Sequence, residues 1–320
     1  MPKASDVVAI LCSDIHLSSR APIARSAEPD WHAAMERQLK QLRDLKKKYD
    51  CPIICAGDIF DRWYSTPELI NFALEKLPDD MYAVPGQHDL PDHSMLEIHR
   101  SAYWTLVQAS KVQNIERRTE LDNLLLYGFG WGDELQVVPK GDRKDKRIKL
   151  AVIHRYCWNS KKTCYPGAPE EGRADNIIKA CKGVDAVVTG DNHRMFYITR
   201  MMEGSVHLIN PGTFFRRKID ERHQTPHVGL LHTDGSIEAR PLDCSEDKFI
   251  DVDKGLEVLE KGLDLTELVD DLKSLGNGTL DFVESLFQYL DKNGVSKAVR
   301  KHITRAMERD RSDGSRSRKG

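Results

Sequence analysis

The sequence lacks long apolar runs and has no large excess of charge of either sign. No run of about 18 consecutive apolar residues occurs, so no membrane-spanning helix is expected. The 48 Lys and Arg residues nearly balance the 50 Asp and Glu residues, which excludes a basic field over the whole chain and leaves only local patches for nucleic acid. The apolar segment 7–12 is too short for a secretory signal, and we therefore expect a cytoplasmic protein without membrane contact.

The sequence also lacks a cysteine pattern that would indicate disulfides. The seven cysteines are odd in number and scattered along the chain. Only Cys51 and Cys55 are close together, and both lie in an apolar run, so we interpret them as buried thiols and not as half of a zinc site. With 40% hydrophobic and 31% charged residues, the chain can build a core and is not expected to be mostly disordered.

Short runs rich in Val, Ile and Leu recur along the chain, and each is followed abruptly by Gly, Asp, His or Asn. They are residues 7–12, 51–56, 82–84, 148–153, 184–189 and 206–209. Continuous apolar runs of this length are typical of strands buried on both faces. Helical patterns lie between them, as in the stripe from Met35 to Tyr49 and the N-cap and first-turn pair Thr66–Pro67. The alternation predicts an α/β protein, whose binding sites gather at the carboxyl ends of the strands.

Five of the predicted strand ends carry side chains that could bind a metal ion. These side chains are Asp14, His16, Asp58, Gln87, His154, Asp191 and His193. In extended backbone, residues i and i+2 share a face, so each Asp-x-His pair can point two side chains at one ion. Carboxylates and imidazoles are common ligands in hydrolytic two-metal sites. Taken singly, each residue has an ordinary explanation, such as a turn former or a satisfied core histidine.

In order and spacing, these blocks resemble the signature of calcineurin-like metallophosphoesterases. The blocks are Asp14–His16, Gly57–Asp61, Gly86–Asp89, His154 and Gly190–His193, and the resemblance covers roughly residues 7–240. It implies a metallophosphoesterase sandwich, an α/β fold with two central mixed β-sheets flanked by helices. Within this superfamily, the segments GDIFDRW, VPGQHDLP and INPGTFFRR are most similar to SbcD-type nuclease subunits of DNA double-strand-break repair, including phage-encoded forms.

The resemblance also implies a role for each residue. The first ion would be held by Asp14, His16 and His193, the second by Gln87, His154 and Asp191, and Asp58 would bridge the two. His88 would contact the scissile phosphate and protonate the leaving oxygen, while Asp89 would orient the ring of His88. The implied reaction is two-metal hydrolysis of DNA phosphodiester bonds by a bridging hydroxide, as an exonuclease or endonuclease.

Two positions depart from the family pattern, and both belong to the second ion. Gln87 stands where the family has Asn, and Asp191 stands where it has His. The added oxygen character favours Mn²⁺, with Mg²⁺ as the alternative, over Zn²⁺. The same two changes could instead mean that the second site is weakened or lost.

Basic and aromatic residues follow the ligand blocks. The arginines Arg155, Arg194, Arg216 and Arg217 could grip phosphate oxygens, and surface ion pairs are an equally good explanation for each. The aromatic residues among them could stack on bases, although core packing is the commoner role; they are Trp63, Tyr64, Tyr156, Trp158, Phe214 and Phe215.

The composition changes near residue 250. We predict a metallophosphoesterase domain over residues 1–248, a helical C-terminal extension over 249–310 and a basic flexible tail over 311–320. The SbcD resemblance implies DNA and an SMC-like ATPase subunit as partners, and a homodimer is a further option. Two other functions stay open, namely a small-molecule or phosphoprotein phosphoesterase and a catalytically weakened binding subunit with the same fold.

Overall fold

The structure is a computed structural model that describes residues 6–202 and 204–250. The predicted C-terminal extension and tail lie outside the described residues beyond position 250, so the predicted boundary at residue 248 stays a prediction. Within the described part of the chain, no helix is both long enough and apolar enough to cross a membrane.

The first sheet has six strands, four of which run parallel. In chain order they are β1 (Val7–Cys12), β2 (Ile53–Cys55), β3 (Met81–Ala83), β4 (Val112–Asn114), β11 (His227–His232) and β12 (Ile237–Pro241). Their spatial order is β12-β11-β1-β2-β3-β4. Neighbours from β1 to β4 are parallel, whereas β11 is antiparallel to both β1 and β12. The carboxyl ends of β1, β2 and β3 therefore meet at one edge.

The second sheet also has six strands and the same mixed character. Its strands are β5 (Thr119–Glu120), β6 (Leu124–Phe129), β7 (Ile148–His154), β8 (Ala186–Gly190), β9 (Phe196–Met201) and β10 (Ser205–Asn210). They lie in the order β5-β6-β7-β8-β10-β9, with β6, β7, β8 and β10 parallel and with antiparallel edge strands β5 and β9.

Helices cover the outer faces of the two sheets. The described residues form α1 (Trp31–Tyr49), α2 (Pro67–Lys76), α3 (Ala102–Gln108) and α4 (Ala174–Ala180), together with short 3-10 turns at Ile23–Arg25, Gln87–Asp89, Pro91–His93, Met95–Arg100, Asp142–Lys144, Glu170–Gly172 and Ile219–Glu221. As predicted, the Thr66 side chain caps α2 by accepting a hydrogen bond from the Leu69 N–H.

Apolar contacts form three layers, which confirms the predicted sandwich. Residues of α1, α2 and α3 pack on one face of the first sheet, and residues of α4 pack on the outer face of the second. A central layer joins the two sheets. In β1, Ala9 and Leu11 face the central layer while Ile10 and Cys12 face the helices, so the strand is buried on both faces as its continuous apolar run predicts.

Candidate metal centre

The loops after β1 and β2 run side by side at the carboxyl edge of the first sheet. The Asp14 N–H donates to the Gly57 carbonyl oxygen at 3.0 Å, and the His16 N–H donates to the Asp58 carbonyl oxygen at 2.9 Å. Asp14 and His16 each have a φ of 51°, and Asp58 has a φ of 54°. Non-glycine residues rarely adopt this left-handed backbone, and where it occurs it often marks a functional site.

The side chains from these loops meet those from β7 and β8 of the second sheet. Asp14, His16 and His193 place ligand atoms within 4.8 Å of one another, and so do Asp14, Asp58 and His154. The Asp58 Oδ2 atom lies 3.6 Å from His16 Nε2 and 3.4 Å from His154 Nε2. This central position is the one expected of a bridging ligand.

Gln87 and Asp191, the two residues that depart from the family pattern, lie next to each other. The Gln87 Nε2 atom donates to Asp191 Oδ1 at 2.8 Å, and its Oε1 atom lies 2.5 Å from His154 Nε2. The Asp191 N–H also donates to Asp14 Oδ1 at 3.0 Å. The amide of Gln87 thus spans the space between His154 and Asp191, where the second ion is predicted.

Buried unpartnered oxygens show that a cation fits this cluster. Asp14 is 0% and Asp58 1% exposed, and within the described residues the Oδ2 atom of each has no hydrogen-bond partner. Burial raises the pKa of Asp14 to about 6, against the opposing effect of His193 and His154. Burial alone would lower the pKa of His154, but Asp58, Asp14 and Asp191 raise it to about 10. The surplus of negative charge that holds this extra proton would equally stabilise a divalent ion.

Comparison with known proteins identifies the family. The family model for calcineurin-like phosphoesterases matches residues 8–195, which is more than half of the chain. The chain belongs to this family. Among solved structures, this phosphoesterase is similar to a metallophosphoesterase from Sphaerobacter thermophilus at 15% identity and a TM-score of 0.38, with 81% of this chain and 95% of that chain covered. The comparison with curated proteins finds no match.

At two glycines, the backbone of the phosphoesterase approaches the candidate ligands so closely that there is no space for a side chain. A Cβ atom on Gly86 would lie 2.1 Å from Asp58 Oδ1, and one on Gly57 would lie 2.2 Å from His154 Nδ1. Gly57 also has a φ of +93°, which disfavours any side chain. Glycine is therefore required at both positions for the cluster to close.

Two of the candidate histidine ligands, His154 and His193, form a hydrogen bond through Nδ1 that directs the Nε2 atom towards the cluster. The Nδ1–H of His154 donates to the Ala56 carbonyl oxygen at 2.6 Å, and that of His193 donates to Glu221 at 2.9 Å. Such partners fix the tautomer and the orientation of a metal-binding imidazole. The Nδ1 atom of His16 lies 3.6 Å from Asp61 Oδ1 and has no hydrogen-bond partner among the described residues.

Glu221 and Arg217 support the candidate ligands; the sequence pattern did not single out Glu221, and it suggested phosphate binding for Arg217. Burial raises the pKa of Glu221, but the hydrogen bond and charge of His193, together with the N–H groups of Arg217 and Lys218, lower that pKa to about 2, so Glu221 is charged at neutral pH. Arg217 forms an ion pair with Asp61, and its backbone N–H donates to Glu221. The only signal in the sequence was their position shortly after the Asn210–Gly212 block.

The structure corrects the role of Asp89. Its carboxylate accepts hydrogen bonds from the backbone N–H groups of Ile59, Phe60 and Gly86, whereas the His88 ring forms its hydrogen bond with the Asp61 carbonyl oxygen. Burial and then the neighbouring charge of Asp58 raise the pKa of Asp89 to about 7. Asp89 thus ties the loop after β2 to the turn after β3, which leaves the orientation of His88 to another residue.

The backbone of Asp61 orients the His88 ring. The Nδ1–H of His88 donates to the Asp61 carbonyl oxygen at 2.9 Å, while the His88 N–H donates to Asp58 Oδ1 at 2.9 Å. The His88 ring stands 4.9 Å from the His16 ring, measured between centroids. Because Nδ1 is committed to a carbonyl, Nε2 is the nitrogen of His88 that can exchange a proton with a substrate.

Of the four arginines considered for phosphate binding, the three besides Arg217 lie in different surroundings. Arg216 is buried, and its guanidinium donates to Asp247 and to the carbonyl oxygens of Arg222 and Cys244. Because these structural contacts occupy its guanidinium, Arg216 does not have the role in substrate binding that the sequence predicted. Arg155 donates to the Asp133 carbonyl oxygen, and the exposed Arg194 to that of Lys162, which places both on loops beside the cluster.

Proposed function

We propose that this phosphoesterase hydrolyses DNA phosphodiester bonds with two bound divalent ions, preferably Mn²⁺. The observation that carries the proposal is the pair of buried, unpartnered carboxylate oxygens on Asp14 and Asp58, set among three imidazoles. Divalent ions bound there would neutralise a phosphate and lower the pKa of a water molecule at neutral pH. The amide and carboxylate oxygens of Gln87 and Asp191 support Mn²⁺ over Zn²⁺.

The residues of the chain supply the remaining chemistry. Asp58 Oδ1 anchors the backbone of His88, so the imidazole is positioned by the same carboxylate that faces the metal cluster. With its Nδ1–H on the Asp61 carbonyl oxygen, His88 can hold a proton at Nε2 and donate it to the leaving oxygen. Arg217, paired with Asp61, stabilises the charge of this supporting group.

A basic and aromatic rim beside Asp191 supports DNA as the substrate. The loop after β7 is fastened to the Asp191 loop, because Asn192 Nδ2 donates to the carbonyl oxygens of Cys157 and Thr163. The loop carries the exposed Lys161 and Lys162, and the half-exposed ring of Tyr165 lies 4.7 Å from that of Tyr156. Lysines that follow the backbone and rings that stack on bases are typical of single-strand binding.

One observation favours a second candidate, a subunit with the same fold and weakened catalysis. The Gln87 amide already joins His154 to Asp191, and an ion at the second site must displace these contacts. If the amide is not displaced, the cluster would hold one ion and hydrolysis would be slow.

Hydrolysis of several phosphate esters side by side tests the proposal. The purified protein with Mn²⁺ is given single-stranded DNA, bis(4-nitrophenyl) phosphate and 4-nitrophenyl phosphate, while calorimetry counts the bound ions. We expect cleavage of DNA and of the small diester, with the monoester slower. Hydrolysis of the monoester alone would indicate a phosphatase. No hydrolysis with one ion bound would indicate the weakened subunit.

A further inference from the structure

Trp131 lies beside His154 at the edge of the candidate metal centre, at a position that the sequence pattern did not single out. It follows the end of β6, and its N–H donates to the Pro85 carbonyl oxygen at 3.0 Å, which ties it to the turn that carries Gln87 and His88. Its partly exposed indole stands 6.4 Å from the His154 ring, measured between centroids. The indole is thus held within one nucleotide's reach of the candidate ligands.

His93 extends this surface away from the centre. Its ring lies 6.2 Å from the Trp131 ring, and the residue is exposed. Asp92 and His93 have φ values of 49° and 57°, two successive left-handed residues that turn the chain sharply after Pro91. Partial burial and then the nearby His88 lower the pKa of His93 below its usual value.

We infer that Trp131 and His93 form a stacking subsite for the nucleobase next to the scissile phosphate. The inference rests on the proposed function, since it specifies which part of a nucleic-acid substrate the site recognises beyond the phosphate. An indole held by its backbone offers a flat face to any base, so the subsite would tolerate sequence. The alternative is that Trp131 only shields His154 from water. In that case its removal would weaken the binding of every phosphate ligand equally, with or without a nucleobase.

Calorimetry with two phosphate ligands separates these explanations. The Mn²⁺-loaded protein is titrated with thymidine 5′-monophosphate and with methyl phosphate, which share the phosphate and differ in the nucleoside. We expect tighter binding of the nucleotide, and we expect Trp131→Ala to weaken it roughly 10- to 100-fold while methyl phosphate is unchanged. Trp131→Phe should retain most of the nucleotide affinity, and His93→Ala should lose less than Trp131→Ala.

Tyr197→Ala is the matched control, because Tyr197 is another partly exposed aromatic residue beside a histidine; its ring stacks on His207 at the edge strand β9. It should change neither affinity. The inference is overturned if the wild type binds both ligands equally or if Trp131→Ala weakens both equally. Trp131→Phe keeps the test decisive should Trp131→Ala fail to fold. Neither outcome depends on hydrolysis, so failure of the subsite is distinguishable from failure of the proposed function.

Discussion

The side chain of Asp58 uses its two oxygens in different ways. Oδ1 accepts a hydrogen bond from the His88 N–H, while Oδ2 faces His16 and His154 and has no hydrogen-bond partner among the described residues. Burial raises the pKa of Asp58, but the charges of His154, His88 and His16 outweigh it and lower that pKa below the usual range. Asp58 is therefore a carboxylate at any pH at which the protein would be assayed.

Asp58→Asn should lower hydrolysis of bis(4-nitrophenyl) phosphate by about a thousandfold or more, because the loss of a central charge costs several kcal/mol of transition-state stabilisation. Circular dichroism would check the fold, and Asp44→Asn, at an exposed ion pair with Lys40, serves as the control. Activity within about tenfold of the wild type would contradict the two-metal proposal.

Gln87 and Asp191 determine the metal preference in our proposal. Rates measured with Mn²⁺, Mg²⁺ and Zn²⁺ should be highest with Mn²⁺ and poor with Zn²⁺, because both residues offer oxygen ligands. The double variant Gln87→Asn, Asp191→His draws the amide back from His154 by one methylene and adds a nitrogen ligand, so it should shift the preference towards Zn²⁺. A wild type most active with Zn²⁺ would show that these substitutions were misinterpreted.

At the scale of elements, a buried group of charges joins the chain before α1 to the segment after β12. Glu28 accepts hydrogen bonds from Arg25 at 2.6 Å and from the Lys248 N–H at 2.8 Å, and Arg25 also pairs with Asp247. The guanidinium of Arg25 lies 5.0 Å from the Phe249 ring, and that of Arg216 lies 5.2 Å from it. Because Arg217, the partner of Asp61, follows Arg216, this group also positions the loop beside the metal centre.

Glu28→Gln should lower the free energy of unfolding by about 3 kcal/mol near pH 7, since the buried guanidinium of Arg25 then keeps only one of its two carboxylate partners, Asp247. Burial raises the pKa of Glu28, but the Lys248 N–H, Arg25 and Arg37 together lower it. The stabilisation is therefore complete above the pKa of the unfolded carboxyl group, about 4.3, and is lost as the pH falls through the lower folded value.

Urea unfolding of wild type and Glu28→Gln at about pH 7 and about pH 3 checks this, with the larger difference expected at pH 7. Lys40→Ala, which removes an exposed ion pair, should change stability by less than about 1 kcal/mol at either pH. A difference that grows in acid would contradict the assigned sign.

At the scale of the whole molecule, the described residues contain both sheets and every candidate ligand. The predicted C-terminal extension and its partners, DNA and an SMC-like ATPase subunit, remain predictions, as does a cytoplasmic location. Two truncations can separate the extension from the phosphoesterase. Removal of residues 251–320 keeps Asp247 and Phe249, whereas removal of residues 244–320 also deletes the partners of Arg25 and Arg216.

Removal of residues 251–320 should leave hydrolysis of the small diester nearly intact and weaken DNA binding, because the basic stretch at its end would lose phosphate contacts. Removal of residues 244–320 should abolish both. Fluorescence anisotropy with labelled DNA at several salt concentrations, beside small-diester rates, measures the effect. Unchanged affinity and salt slope in the first truncation would exclude a DNA role for this region.

The sequence by itself determined where chemistry could occur, because apolar runs followed directly by Asp, His and Gly are local patterns. It also determined the start of α2, since Thr66 needs only its own turn to cap the helix. The sandwich was implied by the resemblance of the ligand blocks to calcineurin-like metallophosphoesterases. Strands such as β6 and β12 were not predicted, as they lie outside the runs that end in ligands.

Only the tertiary structure decided which residues at this edge support the candidate ligands and which lie beside them. The pairing of His193 with Glu221, the attachment of His88 to the Asp61 carbonyl oxygen and the place of Trp131 beside His154 join loops from different strands. Such contacts have no period in the sequence, because each depends on two sheets packing so that their carboxyl ends meet at one edge. The metal centre lies at that edge for the same reason.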